Sequence, residues 1–293
     1  MSKPVSPLAA PLAGRPRATS RGLARLRTLG SMAGHAAASP IYRFYTARLR
    51  AEVLSRPVPA HVALIMDGNR RWARQLGVTS ASFGHRHGAN KAIELLDWSA
   101  SLGIREVTLW ALSLENLERT PEEVEAITEI ACKTLDTLAE RDKVKRLERS
   151  LRVIGRRDML PERLREAAER GETETAGRPG LRVTLALGYS GRDELVDAAQ
   201  NAVRTLVSEG TPTEELADAL TADRLAAQLY THGSTDPDLI IRTSGEVRMS
   251  GFLPWQSAYS EFYFCEAYWP AFREIDFLRA IRTYQQRGRR YGR

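Results

Sequence analysis

The sequence predicts an α/β fold, a single domain whose central six-stranded, mostly parallel sheet is flanked by helices. After Pro59, short β-branched or apolar runs alternate with longer helical patterns, which is typical of βαβ units and a parallel sheet. The chain has 293 residues and 43% hydrophobic content, which is enough to bury one large core. These two observations predict the fold class.

Six runs have the length and composition of strands, and helical patterns separate them. Pro121 and Pro161 stand where a first-turn proline is tolerated, and each is followed by glutamates that suit a helix N-terminus. The predicted strands are 61–66, 106–113, 151–155, 181–187, 238–242 and 261–264. The predicted helices between and after them are 88–102, 121–138, 161–175, 193–207, 222–230 and 275–287.

The N-terminal 39 residues predict a disordered basic leader. They are rich in Pro, Ala, Gly, Ser and Arg, a mixture that buries too little apolar surface to offset the entropy of ordering. This composition favours a solvated tail. Arg-rich, acid-poor leaders also occur as organelle transit peptides, so that alternative stays open.

Residues 40–56 predict an amphipathic N-terminal helix that precedes the main α/β domain, residues 57–293. Apolar side chains recur at four-residue spacing along this helix. The pattern favours packing on the body and leaves open a peripheral contact of residues 41–54 with an anionic membrane surface. The spaced residues are Ile41, Tyr45, Leu49 and Val53.

The charge distribution excludes nucleic acid as an expected partner. The chain carries a net charge of +7, but residues 1–51 hold nine basic residues and no acidic one. The remainder has 34 basic and 36 acidic residues, a net charge of −2, so the body lacks the positive surface that nucleic acid binding needs. Cys132 and Cys265 stand alone, which favours a reducing, cytoplasmic setting, and no apolar run approaches the roughly 18 residues of a membrane span.

Polar residues follow four of the predicted strands. Because ligands bind outside the carboxyl ends of strands in open parallel sheets, these exits should converge on one site. A D-G dipeptide taken alone is equally consistent with a simple turn and with a functional loop. Polar residues after four strands favour a functional site. The exits are Asp67 to Trp72, Ser113 to Asn116, Gly188 to Arg192 and Arg242 to Glu246.

The residue types at these exits predict a diphosphate substrate. Glycines let backbone N–H groups approach an anion, and arginines supply forked donors that match phosphate oxygens. Asp67, a lone acid among them, is suited to share Mg²⁺ with substrate oxygens. The glycines are Gly68, Gly191 and Gly245, and the arginines are Arg71, Arg119, Arg192, Arg242 and Arg248.

Taken in order, the motifs resemble the cis-prenyltransferase family, which includes undecaprenyl diphosphate synthase and the short-chain Z-farnesyl diphosphate synthases. The resemblance covers residues 59–292. No adjacent pair of aspartates occurs, so the aspartate-rich motif of the trans-prenyltransferases is absent. The matching strings are HVALIMDGNRRWA at 61–73, FGHRHG at 83–88, SLENLER at 113–119, RTSGEVRMSGFLPWQSAYSEFYF at 242–264 and RRYG at 289–292.

The resemblance implies a Mg²⁺-dependent homodimeric enzyme that condenses isopentenyl diphosphate with an allylic diphosphate, geranyl or farnesyl, with Z stereochemistry. It implies that Asp67 is catalytic and holds Mg²⁺, and that Glu261 is the second metal carboxylate. The substrate-binding residues that it implies are Gly68, Asn69, Arg70, Arg71, Trp72, His85, Ser113, Leu114, Glu115, Leu117, Arg119, Arg242, Arg248, Met249 and Ser250.

Asn116 is the second catalytic residue that the resemblance implies. The family often assigns proton removal to this asparagine, yet a neutral amide has no useful basicity near pH 7. We therefore expect Asn116 to orient the reacting groups. The proton acceptor is then the released diphosphate, or a water held by Asn116 and His85.

Product length is open at this stage. Arg70, Leu117, Val247 and Gly251 replace the residues usual in long-chain members, which favours Z,E-farnesyl diphosphate as the product. Ala111 lies on the second strand, where a bulky residue would cap the growing tail, so a medium- or long-chain polyprenyl product remains an alternative.

Two other functions are disfavoured by residues that the chain retains. A head-to-middle condensing relative of the lavandulyl type would have an altered isopentenyl pocket, but Arg242, Arg248, Ser250 and Glu261 are all present. A non-catalytic binding subunit of a heteromeric prenyltransferase usually lacks the catalytic aspartate and its loop. Both are intact here.

Overall fold

The computed structural model describes residues 40–145 and 148–287. The chain divides into two units, Met1–Arg43 and Phe44–Arg293. Of the first unit, only the opening turn of one helix falls within the described residues. The predicted leader and the closing RRYG string lie outside them.

Six strands form one sheet in which every hydrogen-bonded pair is parallel. They are β1 (His61–Ile65), β2 (Glu106–Ser113), β3 (Ser150–Ile154), β4 (Arg182–Tyr189), β5 (Leu239–Arg242) and β6 (Glu261–Phe264). The spatial order is β3-β4-β2-β1-β5-β6. The predicted six-stranded α/β fold is confirmed, and the sheet is parallel throughout rather than mostly so.

Helices precede, connect and follow these strands. They are α1 (Pro40–Leu54), α2 (Asn69–Gln75), α3 (Ala81–Ser101), α4 (Pro121–Lys145), α5 (Glu162–Thr175), α6 (Gly191–Ser208), the short α7 (Leu216–Ala219) and α8 (Ala222–Ala226), and α9 (Glu274–Gln286). Within the described ranges, none of them is both long and apolar enough to cross a bilayer.

The helix predictions were wrong at α2, α3 and α4, the short α7 was not predicted, and α8 ends at Ala226 rather than at 230. Helix α2 stands where only a turn and a polar strand exit were expected. Helix α3 begins at Ala81 rather than at 88, and α4 runs past its predicted end at 138, to Lys145. The first two corrections matter for function, because α2 and the start of α3 both carry predicted site residues.

The two faces of the sheet pack differently. On one face, Ala63, Ile65, Ala186 and Ile240 belong to a buried cluster against which Trp110 packs. The opposite face of β2 and β4 lines a cavity that α3 and α4 also line. All five residues of β1 are buried, as expected for a central strand of a parallel sheet covered on both faces.

Helix α1 buries Leu49 and Val53 of its predicted apolar face, whereas Ile41 is exposed. The Val53 carbonyl accepts a hydrogen bond of 2.8 Å from Gln285 on α9. Arg50 forms an ion pair of 2.8 Å with Glu274, also on α9. The second half of α1 is therefore tied to the C-terminal helix.

Candidate active site

The loop that carries Asp67 is clamped between the ends of β1 and β5 and the segment after β6. The Asp67 carbonyl accepts hydrogen bonds from Thr243 Oγ1 at 2.7 Å and from the Trp269 N–H at 3.0 Å. Gly68 has a φ of 106°, and a Cβ there would lie 2.6 Å from Tyr268 Cδ1. Only glycine therefore fits this position, and α2 starts immediately after it.

The Asp67 carboxylate is held by two arginines. Its Oδ1 lies 3.0 Å from Arg71 Nη2, and its Oδ2 accepts a hydrogen bond of 3.0 Å from Arg242 Nη2. Burial disfavours the charged carboxylate, but hydrogen bonds from Arg242 and Arg71 outweigh that effect and hold its pKa below the usual value. Asp67 is therefore ionised at neutral pH.

Arg242 connects Asp67 to the segment that follows β5. This guanidinium is almost completely buried, and its Nη1 donates to Ser250 Oγ at 2.7 Å and to the Arg248 carbonyl at 2.6 Å. Arg242 Nε is buried and has no protein partner among the described residues. One arginine thus joins the carboxylate to the predicted isopentenyl diphosphate pocket.

Arg71 makes a second set of contacts on the same side of Asp67. It donates to Ser244 Oγ at 2.7 Å and to Glu246 Oε1 at 2.8 Å, and it stacks over the Tyr268 ring. Glu246 also pairs with Arg248. Arg71, Arg242 and Arg248 are called the β5 cluster below.

A second group of basic side chains consists of Arg70, His85 and Arg119, called the α3 cluster below. Burial and the nearby charges of Arg119 and Arg70 lower the pKa of His85 to about 4. Burial and the charge of Arg70 also lower the pKa of Arg119. His85 Nε2 is buried without a partner in the described part of the chain. Adjacent arginines on α2 thus serve two different clusters.

An apolar cavity begins beside these clusters and runs between the sheet and helices α3 and α4. About 660 Å³ of empty space, part of it open solvent, lies between its lining residues, which include Asn69 and His85. The β2–β4 ladder is irregular between Trp110 and Leu112, and Ala111 is exposed to the cavity although it lies on an internal strand. A bulge next to a site is a common way to redirect a strand.

The cavity has a closed end. Leu109 and Leu185, which are paired in register across β2 and β4, line its lower wall together with Leu135 of α4. One step further along the same face of the sheet, Val107 and Val183 are buried almost completely. Together these leucines and valines form a floor of packed apolar side chains.

The residues after β2 form a short 3₁₀ turn, Leu114–Asn116. The Oδ1 atom of Asn116 accepts a hydrogen bond of 3.2 Å from the Ser113 N–H, so this amide caps its own turn. Leu117 lies near Gly188, at the end of β4. The strand exits after β2 and β4 are therefore brought together as predicted.

Other predicted site residues occupy supporting positions. Trp72 stacks on Phe83 with a centroid separation of 5.7 Å, which ties α2 to α3. The Asn69 side chain lies against Gly88, where an added Cβ would be 2.3 Å from Asn69 Oδ1. The Met249 carbonyl accepts a hydrogen bond from the Phe252 N–H within the segment after β5.

The structure does not bring Glu261 to Asp67 within one chain. Glu261 opens the edge strand β6 opposite Leu239, at the amino end of the sheet, and it pairs with Arg287 at 3.0 Å. Asp67 lies beyond Ile65, which is in register with Arg242 at the carboxyl end. The two predicted metal carboxylates are therefore at opposite ends of the sheet.

Two residues that contact this site, Tyr268 and Trp269, were not predicted, and two more, Ser244 and Glu246, lie in the predicted exit after β5 but were not among the candidate binding residues. Trp269 lines the cavity and donates a hydrogen bond of 2.8 Å to the Gly88 carbonyl. Tyr268 and Trp269 follow β6, and Ser244 and Glu246 follow β5, so the rule that points to strand exits applies to all four.

The donor set at Asp67 fits a metal that is shared with substrate. No group of three or more metal-ligating side chains occurs in residues 40–145 and 148–287. Mg²⁺ does not need such a cage, because it commonly binds through one or two carboxylates plus substrate phosphate oxygens. The ionised, partly exposed Asp67 would be its protein ligand, with substrate oxygens completing the coordination.

Fold and site together define an α/β protein with clusters of basic side chains at the carboxyl edge of its sheet and an apolar cavity beside them. The family model for undecaprenyl diphosphate synthases matches residues 65–292. The chain therefore belongs to the undecaprenyl diphosphate synthase family of cis-prenyltransferases. It is a prenyltransferase of isoprenoid biosynthesis.

Curated relatives and a solved structure agree with this assignment. A (2Z,6E)-farnesyl diphosphate synthase from Thermobifida fusca is 49% identical over 253 residues, 86% of this chain and 97% of the relative. An isoprenyl transferase from Thermus thermophilus is 47% identical over 254 residues, 87% of this chain and 96% of the relative. The crystal structure of lavandulyl diphosphate synthase from Lavandula x intermedia, in complex with dimethylallyl diphosphate, superposes with a TM-score of 0.75 at 33% identity. That similarity covers 83% of this chain and 100% of the other.

Proposed function

We propose that the enzyme adds one isopentenyl unit to geranyl diphosphate and releases Z,E-farnesyl diphosphate. The observation that carries this proposal is the depth of the apolar cavity beside Asp67. The name of the Thermobifida fusca relative supports it.

The depth follows from the strand register. Leu109 on the cavity floor is level with Leu64, three residues before Asp67, so the cavity extends about 10 Å along the strands. With C–C bonds of about 1.5 Å, each isoprene unit adds about 5 Å of extended chain. A geranyl tail of about 10 Å therefore fits, whereas a farnesyl tail of about 15 Å would strike the floor.

The alternative is a medium- or long-chain polyprenyl product, and Ala111 is the observation that favours it. Its small side chain leaves the upper cavity open. The product is longer only if the floor at Leu109 and Leu185 moves when a tail presses on it. That movement would have to disturb a packed layer of leucine and valine side chains, which is costly.

We assign the two cationic clusters to the two diphosphates. Arg242 and Arg248 of the β5 cluster, with Ser250, would bind isopentenyl diphosphate. The α3 cluster and the backbone of residues 68–70 would bind the allylic diphosphate, whose tail enters the cavity at Asn69. In this arrangement Asp67 lies between the two head groups, where charge changes most during the reaction.

The reaction requires the C–O bond between the allylic carbon and its diphosphate to break, with the electron pair leaving on oxygen. The isopentenyl double bond attacks the resulting allylic cation, a C–C bond forms, and loss of a proton creates the Z double bond. Mg²⁺ held by Asp67 would supply charge stabilisation for the leaving group. Arg70 and Arg119 would stabilise the same charge, and the proton would pass to the released diphosphate.

We also propose a homodimer that forms through the edge strand β6. Its side chains are partly exposed, and Phe262 and Phe264 stack at 6.1 Å on it. Tyr259, just before the strand, is 81% exposed. Exposed aromatic residues on an unpaired edge are typical of an association surface. Light scattering of the wild type and of Tyr259→Glu tests this, with a monomeric variant as the expected result.

Peripheral contact with a membrane is a separate proposal for this enzyme, which we otherwise expect to be cytoplasmic. The exposed apolar side chains of α1, Phe44 and Leu54, would enter the interface, while Arg48 faces anionic lipid. Flotation with anionic and with neutral vesicles tests it. Binding to anionic vesicles alone is expected, and absence of binding to both would contradict it.

Product sizing tests the main proposal. The protein is incubated with radiolabelled isopentenyl diphosphate and, separately, dimethylallyl, geranyl and farnesyl diphosphate, each with Mg²⁺ and with a chelator. We expect a C15 product from geranyl diphosphate, only in Mg²⁺, and little extension of farnesyl diphosphate. Products beyond C30 from any primer would overturn the assigned length but not the reaction class.

A further inference from the structure

The segment after β5 that contains Ser250 has an unusual backbone. Ser250, Gly251 and Leu253 have φ values of 52°, 81° and 48°, so two residues that carry side chains occupy the left-handed region. Such residues persist only where surrounding contacts hold them in place. Ser250 is also the residue whose hydroxyl accepts a hydrogen bond from Arg242.

A buried hydrogen-bond chain, separate from Arg242, also holds this segment. The Leu253 N–H donates to the Tyr189 hydroxyl at 3.2 Å, and that hydroxyl donates to Glu194 Oε2 at 2.5 Å. The other carboxylate oxygen, Oε1, accepts from the Tyr230 N–H at 3.0 Å and from Gln256 Nε2 at 3.1 Å. Tyr189, Glu194 and Gln256 are called the Glu194 network below.

The network reaches the strained segment at two points. Leu253 and Gln256 both belong to the stretch that follows Ser250. The Leu253 N–H donates to Tyr189, and the Gln256 side chain donates to Glu194. Backbone packing adds a third restraint, because a Cβ at Gly191 would lie 2.2 Å from the Gly251 carbonyl oxygen. The start of α6 is therefore fitted closely to residues 251–256.

A carboxylate is an unusual choice for a purely structural link. Glu194 has no solvent exposure, and burying a carboxyl group carries a large desolvation cost unless its oxygens are satisfied. Here three donors converge on it. Three directional hydrogen bonds restrict the positions of the attached segments more strictly than apolar packing does, because each donor must point at a carboxylate oxygen.

We propose that Glu194 is a positioning residue for isopentenyl diphosphate. Through Tyr189 and Gln256 it fixes the segment that holds Ser250 against Arg242, and so presents both side chains to the isopentenyl head group. This inference rests on the proposed function of the β5 cluster. Glu194 touches no substrate, and the side chains proposed for the allylic diphosphate, Arg70, His85 and Arg119, lie on α2, on α3 and before α4.

Glu194→Gln tests the proposal, because the amide keeps the size but presents N–H groups to converging donors. We expect the KM and the calorimetric Kd for isopentenyl diphosphate in Mg²⁺ buffer to rise about tenfold, which corresponds to about 1.4 kcal/mol. The KM for geranyl diphosphate should change by less than about twofold, because its site is built elsewhere.

Two further variants keep the test decisive. Tyr189→Phe removes only the bridging hydroxyl and should shift the isopentenyl constants in the same direction. Asp197→Asn, one turn along α6, alters the contact to the Tyr230 hydroxyl without touching residues 250–256, so both KM values should stay unchanged.

The outcomes separate the two proposals. If Glu194→Gln raises both KM values equally, or lowers only the melting temperature while the isopentenyl Kd stays unchanged, Glu194 is merely structural and the inference is wrong. If Glu194→Gln does not fold, the same criteria apply to Tyr189→Phe. If the wild-type protein neither binds nor consumes isopentenyl diphosphate, the proposed function itself fails.

Discussion

The two ends of the parallel sheet use their polar residues in different ways. At the amino end, His61 contacts the Thr235 carbonyl at 2.6 Å and Thr108 Oγ1 at 2.8 Å, and the buried Glu106 accepts from Thr235 Oγ1 at 2.9 Å. At the carboxyl end, buried atoms of Asn69 and His85 have no protein partner within the described residues. The polar groups at the amino end join strands, whereas the unpartnered atoms at the carboxyl end line the mouth of the cavity, where a ligand could satisfy them.

The largest expected effect contrasts one arginine from each end. Arg242→Ala removes a buried guanidinium that contacts Asp67, Ser250 and the Arg248 carbonyl, and we expect kcat/KM to fall about 10³-fold. Arg182→Ala removes the partner of Glu106 at the amino end and should lower the unfolding free energy without changing kinetics. Steady-state assays and urea unfolding of both variants measure this.

A similar loss of activity in both arginine variants would contradict the division between the two ends. A larger loss of kcat/KM in Arg182→Ala than in Arg242→Ala would also contradict it. If the two variants lost equal stability but Arg242→Ala lost far more activity, the two ends of the sheet would differ in function alone, which would strengthen the division.

The cavity gives the next largest effect, a change of product. Leu185→Ala opens the floor and should yield products of C20 and longer, at a cost of about 2–5 kcal/mol in stability. Ala111→Leu should fill the upper cavity and block geranyl diphosphate. Leu151→Ala, a buried leucine outside the cavity, is the control and should leave product length unchanged. Chromatography of labelled products checks all three.

Arg70 should show a smaller effect that is confined to one substrate. Arg70→Ala removes a charge from the α3 cluster, and we expect the KM for geranyl diphosphate to rise about tenfold. Arg74, on the same helix and also exposed, serves as the control. If Arg74→Ala raised this KM as much as Arg70→Ala does, general surface charge rather than the α3 cluster would explain the effect.

The smallest effect concerns acid stability. Burial lowers the folded-state pKa of His61, and burial with neighbouring arginines lowers that of His85 to about 4. The unfolded chain therefore binds more protons as the pH falls below about 6.5, so each histidine reduces stability by up to about 1.4 kcal/mol per pH unit. His61→Gln should flatten the slope of unfolding free energy between about pH 7 and 5.5. An unchanged slope would contradict a neutral buried His61.

Sequence reasoning located the strands and their exits because buried parallel strands have a strong apolar signature. It missed α2 because N-R-R-W-A-R-Q has no apolar stripe and follows a D-G pair that is typical of turns. It placed the start of α3 too late because the segment contains Gly84, whose small size lets it pack against the Asn69 carbonyl. In each case a tertiary contact overrides the local pattern.

The site was predicted less completely than the fold. Residue types at strand exits predicted Asp67, Arg71 and Arg242 as site residues, and the structure brings these three side chains together. The distance of Glu261 from Asp67 depends on strand register and order, which no local pattern encodes. The Glu194 network was missed for the same reason, since the donors to Tyr189 and Glu194 come from parts of the chain far apart in sequence.

The most direct test of the account is the rate of isopentenyl transfer in Asp67→Asn, a variant that keeps the size of the side chain and removes its charge. Single-turnover assays with geranyl diphosphate in Mg²⁺ buffer, run below the melting temperature of the variant, should show a rate at least about 10³-fold below the wild type. A rate within about tenfold of the wild type would contradict a charge-stabilising role for this carboxylate at the carboxyl end of the sheet.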